Sequence, residues 1–117
     1  MRTKEAGTAT KAKEAWVDAF FKYTGKLPNN YITKKKAKKF GWNPSSANLS
    51  EVLPGKLIGG DVYKNYDGKL PSENGRVWYE ADFDYTSGYR NDCRILYSSD
   101  GLVFVSYDHF KTFYEIR

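Results

Sequence analysis

The stretch Arg76–His109, RVWYEADFDYTSGYRNDCRILYSSDGLVFVSYDH, decides the fold. Three segments in it, Val77–Tyr85, Cys93–Ser99 and Leu102–Tyr107, alternate with the two-residue period of a strand, and the turn-rich joints Thr86–Asn91 and Ser98–Gly101 connect them. Strands so close in sequence predict an antiparallel sheet. On the first strand Trp78, Glu80 and Asp82 point one way and Val77, Tyr79, Ala81 and Phe83 the other. Glu80 therefore looks across at a neighbouring strand, where Arg94 is expected. Arg90, in the first joint, and His109, the sole histidine, come towards the same face in a simple meander. One supersecondary unit thus collects an acid, a base and two fixed cations, a set suited to phosphodiester chemistry.

Upstream, the period changes to that of helices. Trp16, Val17, Phe20, Phe21 and Thr24 form one apolar stripe, with Lys13, Asp18 and Lys22 away from it and Gly25 where the helix stops. Thr33 is placed to cap a second helix running through Lys39 and ended by Gly41. Its lysines, Lys34, Lys35, Lys36, Lys38 and Lys39, read by default as a solvated face, though a phosphate could use any of them. Asn48 is expected to cap a brief third helix, LSEVL, closed by Pro54 and Gly55. Gly59 and Gly60 mean a bend or a close backbone approach rather than a nucleotide loop, since no GxGxxG or Walker spacing follows. Lys64–Pro71, KNYDGKLP, is a turn cluster with Asp67 and Gly68 at its tip.

The 117 residues suit one domain with one modest core, of which residues 1–10, small and polar, read as a flexible start and 11–117 as the folded unit. Hydrophobic residues make up 40% and aromatics 17%, so the core is built largely from rings. A net charge of +5 favours a polyanionic partner such as nucleic acid. Cys93 stands alone, which rules out an intrachain disulfide, and reads as an inert small residue rather than a nucleophile. No apolar run approaches the ~18 residues needed to span a bilayer. The first fifteen residues lack a signal-peptide segment, so a secreted form would have been processed or cut from a longer chain. A membrane-surface role is disfavoured because the lysines adjoin no exposed apolar helical face.

Longer ordered matches narrow the reading. KLPNNYITK (Lys26–Lys34), Gly41–Trp42, PGKLIGGD (Pro54–Asp61), DGKLP (Asp67–Pro71), YTSGYRN (Tyr85–Asn91), RILYSSD (Arg94–Asp100) and the closing DHF, TF and IR together make the chain closely resemble the barnase/binase-type bacterial guanyl-preferring ribonucleases, from about the first helix to Arg117. The resemblance implies an α+β fold, N-terminal helices followed by an antiparallel β-sheet with helix one packed on it. It also implies a cofactor-free, metal-independent, monomeric enzyme acting on single-stranded RNA, met by an acidic protein inhibitor of the barstar kind, and either secreted or carried as the toxic part of a larger delivered protein.

By that resemblance Glu80 is the general base, His109 the general acid, and Lys34, Arg90 and Arg94 hold the phosphate. Lys64, Asn65, Tyr66 and Asp67 form the guanine loop, with Tyr63 and Phe110 as stacking surface. Relatives of this type carry Arg, Glu and Tyr where this chain has Tyr66, Asp67 and Phe110. Read from the residues alone, Arg90 and Arg94 could instead pair with Asp82 or Asp84 across the sheet, while Arg76 and Asp100 read as a structural ion pair. The alternative in another class is a basic, aromatic-rich module that holds single-stranded RNA without cutting it. The pairing of Glu80 with His109 separates the two, because a binder has no use for it.

Overall fold

A computed structural model describes residues 2–10 and 17–117. Among the described residues seven strands form one sheet: β1 (Arg2–Lys4), β2 (Tyr31–Ile32), β3 (Leu57–Tyr63), β4 (Trp78–Asp82), β5 (Arg94–Ser98), β6 (Val103–Ser106) and β7 (Tyr114–Ile116). Their order is β1-β7-β6-β5-β4-β3-β2, antiparallel from β3 to β7, with β1 and β2 added in parallel at the two edges. The helices are α1 (Val17–Thr24), α2 (Lys34–Lys39) and α3 (Leu49–Val52). This is the α+β arrangement expected, with the antiparallel strands β3–β7 after the helices, while the two parallel edge strands depart from it, β1 preceding α1 and β2 preceding α2. Trp16, expected in the apolar stripe, and Lys13, expected away from it, lie outside the described residues.

The strand faces divide as the alternation requires. Ala81, Phe83, Ile95, Val103 and Val105 line the face that α1 covers with Val17 and Phe21. Trp78, Leu96 and Phe104 on the other face pack with Leu70 and Phe113, and Glu80 and Asp82 share that side. A smaller cluster joins Ala37 of α2 and Leu49 of α3 to Trp42, Leu57, Ile58 and Tyr85, which fixes α2 against the β3 edge. Burial on this scale contributes roughly 25 cal/mol per Å² of apolar surface, so three rings-and-aliphatics clusters suffice without a cross-link.

Three local expectations are corrected. Residues 2–10, expected as a flexible start, carry a strand: Arg2–Lys4 pairs with Tyr114–Ile116, and Ala6 N donates to Arg117 O at 2.8 Å. Asp18, expected on the polar face of α1, is fully buried and accepts from Gly7 N, Ala9 N and the Thr10 hydroxyl at 2.8, 3.0 and 2.7 Å. It satisfies the backbone of the first segment, and those N–H and hydroxyl partners draw Asp18 inward while Phe20 is left 37% exposed. Asn48 does not cap α3 with its side chain; it accepts from Asn43 N at 2.7 Å and donates to Gly41 O at 3.0 Å, closing the preceding loop instead.

Candidate active site

The site begins at the paired glycines of β3. A Cβ on Gly59 would lie 2.5 Å from the Tyr31 ring and 2.6 Å from Ala81 Cβ, so only glycine lets Tyr31 pass over the strand. Gly60 follows at φ 102°, and the register slips between Gly59 and Asp61, a bulge that sets Asp61 opposite Glu80. The Tyr31 hydroxyl donates to the Asp82 carbonyl at the end of β4. Asp61 Oδ2 accepts from Lys34 N at 3.1 Å, tying the first turn of α2 to the strand. Thr33 caps that turn as expected, accepting from Lys36 N. These ties bring Lys34 Nζ to 3.6 Å from Glu80 Oε1.

Two positions along the same face, Asp82 lies directly opposite Arg94 in the β4–β5 pairing. Asp82 is wholly buried and takes a two-point grip from Arg90, Nε to Oδ2 and Nη2 to Oδ1, each 2.7 Å. Arg94 Nε is 3.2 Å from Asp82 Oδ1 but misaligned for a hydrogen bond, so that contact is ionic only. Arg94 also donates from Nη1 to Asn91 O at 2.6 Å and Cys93 O at 2.9 Å. Burial works against the charge on Arg90, yet the hydrogen bonds and field of Asp82, with Glu80 and Asp61, raise its pKa above the ordinary value. Burial dominates at Arg94 and lowers it, assisted by the Arg90 charge and opposed by Asp82. The pairing with Asp82, read from the sequence as the competing role of both arginines, is thus present.

His109 reaches the face from a tight turn after β6. His109 and Phe110 both adopt left-handed backbone, φ 57° and 74°, a conformation that costs on the order of 1–3 kcal/mol for each non-glycine residue. Asp108 Oδ1 holds the turn by accepting from the Ser106 hydroxyl at 2.9 Å, Lys111 N at 3.1 Å and Thr112 N at 2.9 Å. Ser106 Oγ in turn accepts from Phe110 N at 2.9 Å, and His109 N donates to Asp92 O at 3.0 Å. The backbone hydrogen bond from Thr112 leads the causes that hold the Asp108 carboxyl down at about 2.

Glu80 and His109 open onto one cleft of about 460 Å³, whose walls also include Tyr63, Lys64, Asn65, Tyr66, Asp67 and Phe110. The structure therefore brings together the expected acid, base and base-reading loop, while Arg90 and Arg94 stand behind Glu80 on Asp82. Tyr63 and Phe110 stack on each other with centroids 4.8 Å apart, forming one aromatic wall, and Arg94 Cζ lies 6.0 Å from the Phe110 ring centre. Burial, then the Asp67 and Glu80 charges, raise the Tyr63 phenol, so it stays a neutral donor. Asn65, at φ 53°, spends its side chain on the loop itself, donating to Leu70 O at 3.0 Å and accepting from Leu70 N at 3.2 Å. Its carbonyl accepts from Gly68 N at 3.0 Å, which leaves Tyr66, 89% exposed, and Asp67 at the tip. Among the described residues no three His, Cys, Asp or Glu side chains gather as metal ligands.

Several contributors were not read from the sequence. Lys69 and Lys111 also line the cleft, with Lys69 Nζ donating to Lys111 O at 3.0 Å. Asp61 and Asp108 act through backbone N–H groups; the glycines before Asp61 were the available signal for the first, and the Ser106-x-Asp108 spacing for the second. Arg76 and Asp100 pair as expected, Nη2 to Oδ2 at 2.8 Å, and neither lines this cleft.

A family model described as ribonuclease matches residues 13–117. A ribonuclease from Heyndrickxia coagulans is 55% identical over 92 residues, 79% of this chain and 84% of that protein. Ribonucleases from Bacillus intermedius and Bacillus pumilus are each 55% identical over 92 residues, 79% of this chain but 57% of their own length, so the match spans little more than half of those two proteins.

Proposed function

From the premise that the chain belongs to the barnase/binase-type bacterial ribonuclease family, we propose that it is a metal-independent endoribonuclease that cuts single-stranded RNA, preferentially after guanine, by transesterification to a 2′,3′-cyclic phosphate followed by hydrolysis. The observation that carries this reading is the meeting of Glu80 and His109 in one cleft, with Lys34 Nζ 3.6 Å from Glu80. RNA supplies its own nucleophile. Glu80 takes the 2′-hydroxyl proton as that oxygen attacks phosphorus, and a protonated His109 gives one to the departing 5′-oxygen; in hydrolysis the roles reverse. Negative charge grows on the equatorial phosphoryl oxygens during attack, and Lys34, Arg90 and Arg94 stabilise it more than they stabilise the ground state. Asp82 fixes the Arg90 guanidinium plane in advance, and the Asn91 and Cys93 carbonyls hold Arg94, so little reorganisation is needed when charge develops.

In the base site, the Asp67 carboxylate accepts from guanine N1 and N2 while backbone amides of Asn65 and Tyr66 donate to O6. The left-handed turn at Asn65, closed by its own side chain, supports this assignment. Lys64 adds charge at the rim, and the base lies against the Tyr63–Phe110 wall. An acidic inhibitor of the barstar kind fits the cationic surroundings of the cleft; that charge complementarity speeds such binding is a point for which barnase and barstar are themselves a standing example. Action as a secreted monomer, or as the toxic part of a larger protein, belongs to the same proposal.

The test is incubation with short RNA in excess chelator followed by analysis of the new ends. Cyclic phosphate termini that persist without divalent metal are expected. Binding without cleavage would favour the non-catalytic RNA-binding module, and 5′-phosphate ends would reject the mechanism.

A further inference from the structure

Five of the six residues of α2 are lysines, and the first, Lys34, meets the cleft through Glu80. Lys35, Lys36, Lys38 and Lys39 are exposed, and none of them makes an ion pair among the described residues. Ala37 is the helix's buried position, so the opposite side is all ammonium. Lys34–Lys38 and Lys35–Lys39 stand four apart, and Lys35–Lys38 and Lys36–Lys39 three apart, spacings at which like charges destabilise a helix. No acidic residue in the first turn offsets them. A polyanion would.

The surroundings indicate which polyanion. At one end the lysine face is continuous with the catalytic cleft through Lys34 and Glu80. On the other side Lys36 joins Lys56, Leu27, Pro28 and Tyr31 around a groove of about 380 Å³. Phe40, ending the helix, is 65% exposed, an apolar ring among cations of the kind on which bases stack. Lys34 to Lys39 covers about 7.5 Å along the axis, so these groups extend past the nucleotide being cut. A bilayer is the poorer match, since the one apolar residue inside α2 faces the core.

Resting on the ribonuclease reading, we propose that α2 is a track for the single-stranded RNA that flanks the scissile phosphate. Lys34 serves the reacting phosphate; Lys35, Lys36, Lys38 and Lys39 hold neighbouring phosphates, and Phe40 with the Lys36–Lys56 groove receives bases beyond the first dinucleotide. The enzyme therefore prefers long strands to short ones, and loses that preference as salt rises.

Binding is measured first with a short single-stranded oligodeoxynucleotide, which lacks the 2′-hydroxyl, so the readout does not depend on cleavage. The variant Lys35→Gln/Lys36→Gln/Lys39→Gln should reduce the slope of log Kd against log salt by about 0.7 per lost phosphate contact, about two in all. Its kcat/KM on a long oligoribonucleotide with a single G should fall at least about tenfold at low salt, and on GpN dinucleotides less than about threefold. A control, Arg2→Gln/Lys4→Gln/Arg117→Gln, removes the same charge from the far β1–β7 edge and should leave slope and long-strand preference in place. Equal losses in both variants, or an unchanged slope in the first, would overturn the track. A changed slope in a protein that cuts no RNA would instead sink the ribonuclease reading while leaving the track standing. Circular dichroism checks folding, and Lys36→Gln/Lys56→Gln repeats the test should the triple variant unfold.

Discussion

Two carboxylates position the groups proposed to react, and they do so by different physics. Asp82 is wholly buried at the end of β4 and holds Arg90 and Arg94 by charge. Asp108, half-buried after β6, holds the His109 turn by accepting backbone N–H groups and a hydroxyl. One sits where the dielectric is low and a lost partner leaves charge stranded; the other sits beside water, which can replace what it offers. Arg90 and Arg94 are therefore fixed by the core, whereas His109 is fixed by a local turn that the solvent can reach.

The strongest way to break the comparison is Asp82→Asn. Two guanidinium groups, mostly withdrawn from water, would face a neutral amide, and removing one partner from a buried ionic cluster costs about 3–5 kcal/mol. Urea unfolding should show a lower midpoint with an unchanged slope, and a loss below about 1 kcal/mol would mean that the pair is screened as a surface bridge is.

Next come the groups being served. Glu80→Ala and His109→Ala should each lower turnover at least about 100-fold, the low end for general acid–base residues, with melting temperatures close to the parent's. Activity that falls only in step with unfolding would return both to a structural role. Lys34→Ala should weaken both binding and rate, because Lys34 stands beside Glu80 rather than beneath it.

The base site is bound less firmly to the core, and its effect is smaller. Wild-type kcat/KM on GpN should exceed that on ApN by about ten- to hundredfold, since adenine presents an acceptor at N1 where Asp67 needs a donor, and each charge-assisted hydrogen bond is worth roughly 1.5–3 kcal/mol. Asp67→Asn should remove most of that ratio. Equal wild-type values for the two dinucleotides would show that the loop does not read guanine.

The sequence made the centre of this molecule legible and its edges much less so. Strands β4, β5 and β6 announce themselves because successive side chains alternate between the two faces of the sheet, and that alternation alone puts Glu80 and Asp82 together. Which partner Arg90 would choose stayed open, because period says which residues share a face and not which carboxylate is the more deeply buried. β1 and β2 have three and two residues and pair in parallel with strands far away in the chain, so nothing local marks them. Asp18 was read as solvated, the default for a carboxylate, and its burial depends on N–H groups of Gly7 and Ala9 that become its partners only once the chain has folded. The left-handed backbone of His109 is equally silent in the sequence, since it follows from where Ser106 and Asp108 end a strand.

Asp108 gives the smallest effect and the one that separates the two carboxylates most cleanly. Its folded pKa of about 2 lies below the usual 3.9 of an unfolded chain, because the Thr112 N–H, the Thr112 and Ser106 hydroxyls and the Lys111 N–H favour the charged form over what burial takes away. A depressed carboxyl contributes stability that is fully present above the unfolded value and is lost as pH falls through the folded one, here between about pH 4 and pH 2. The side chain adjoins water, so the loss amounts to a few degrees of melting temperature rather than collapse. Asp108→Asn keeps an oxygen that can accept from the same N–H groups but removes the charge. The variant should therefore melt slightly below wild type at neutral pH and converge with it as pH drops through that window, while Asp82→Asn stays far below wild type at neutral pH. Parallel melting profiles for wild type and Asp108→Asn from pH 5 to pH 2 would show that the charge of Asp108 does not hold the turn, and that Ser106 and the Asp92 carbonyl suffice to keep His109 in its left-handed backbone.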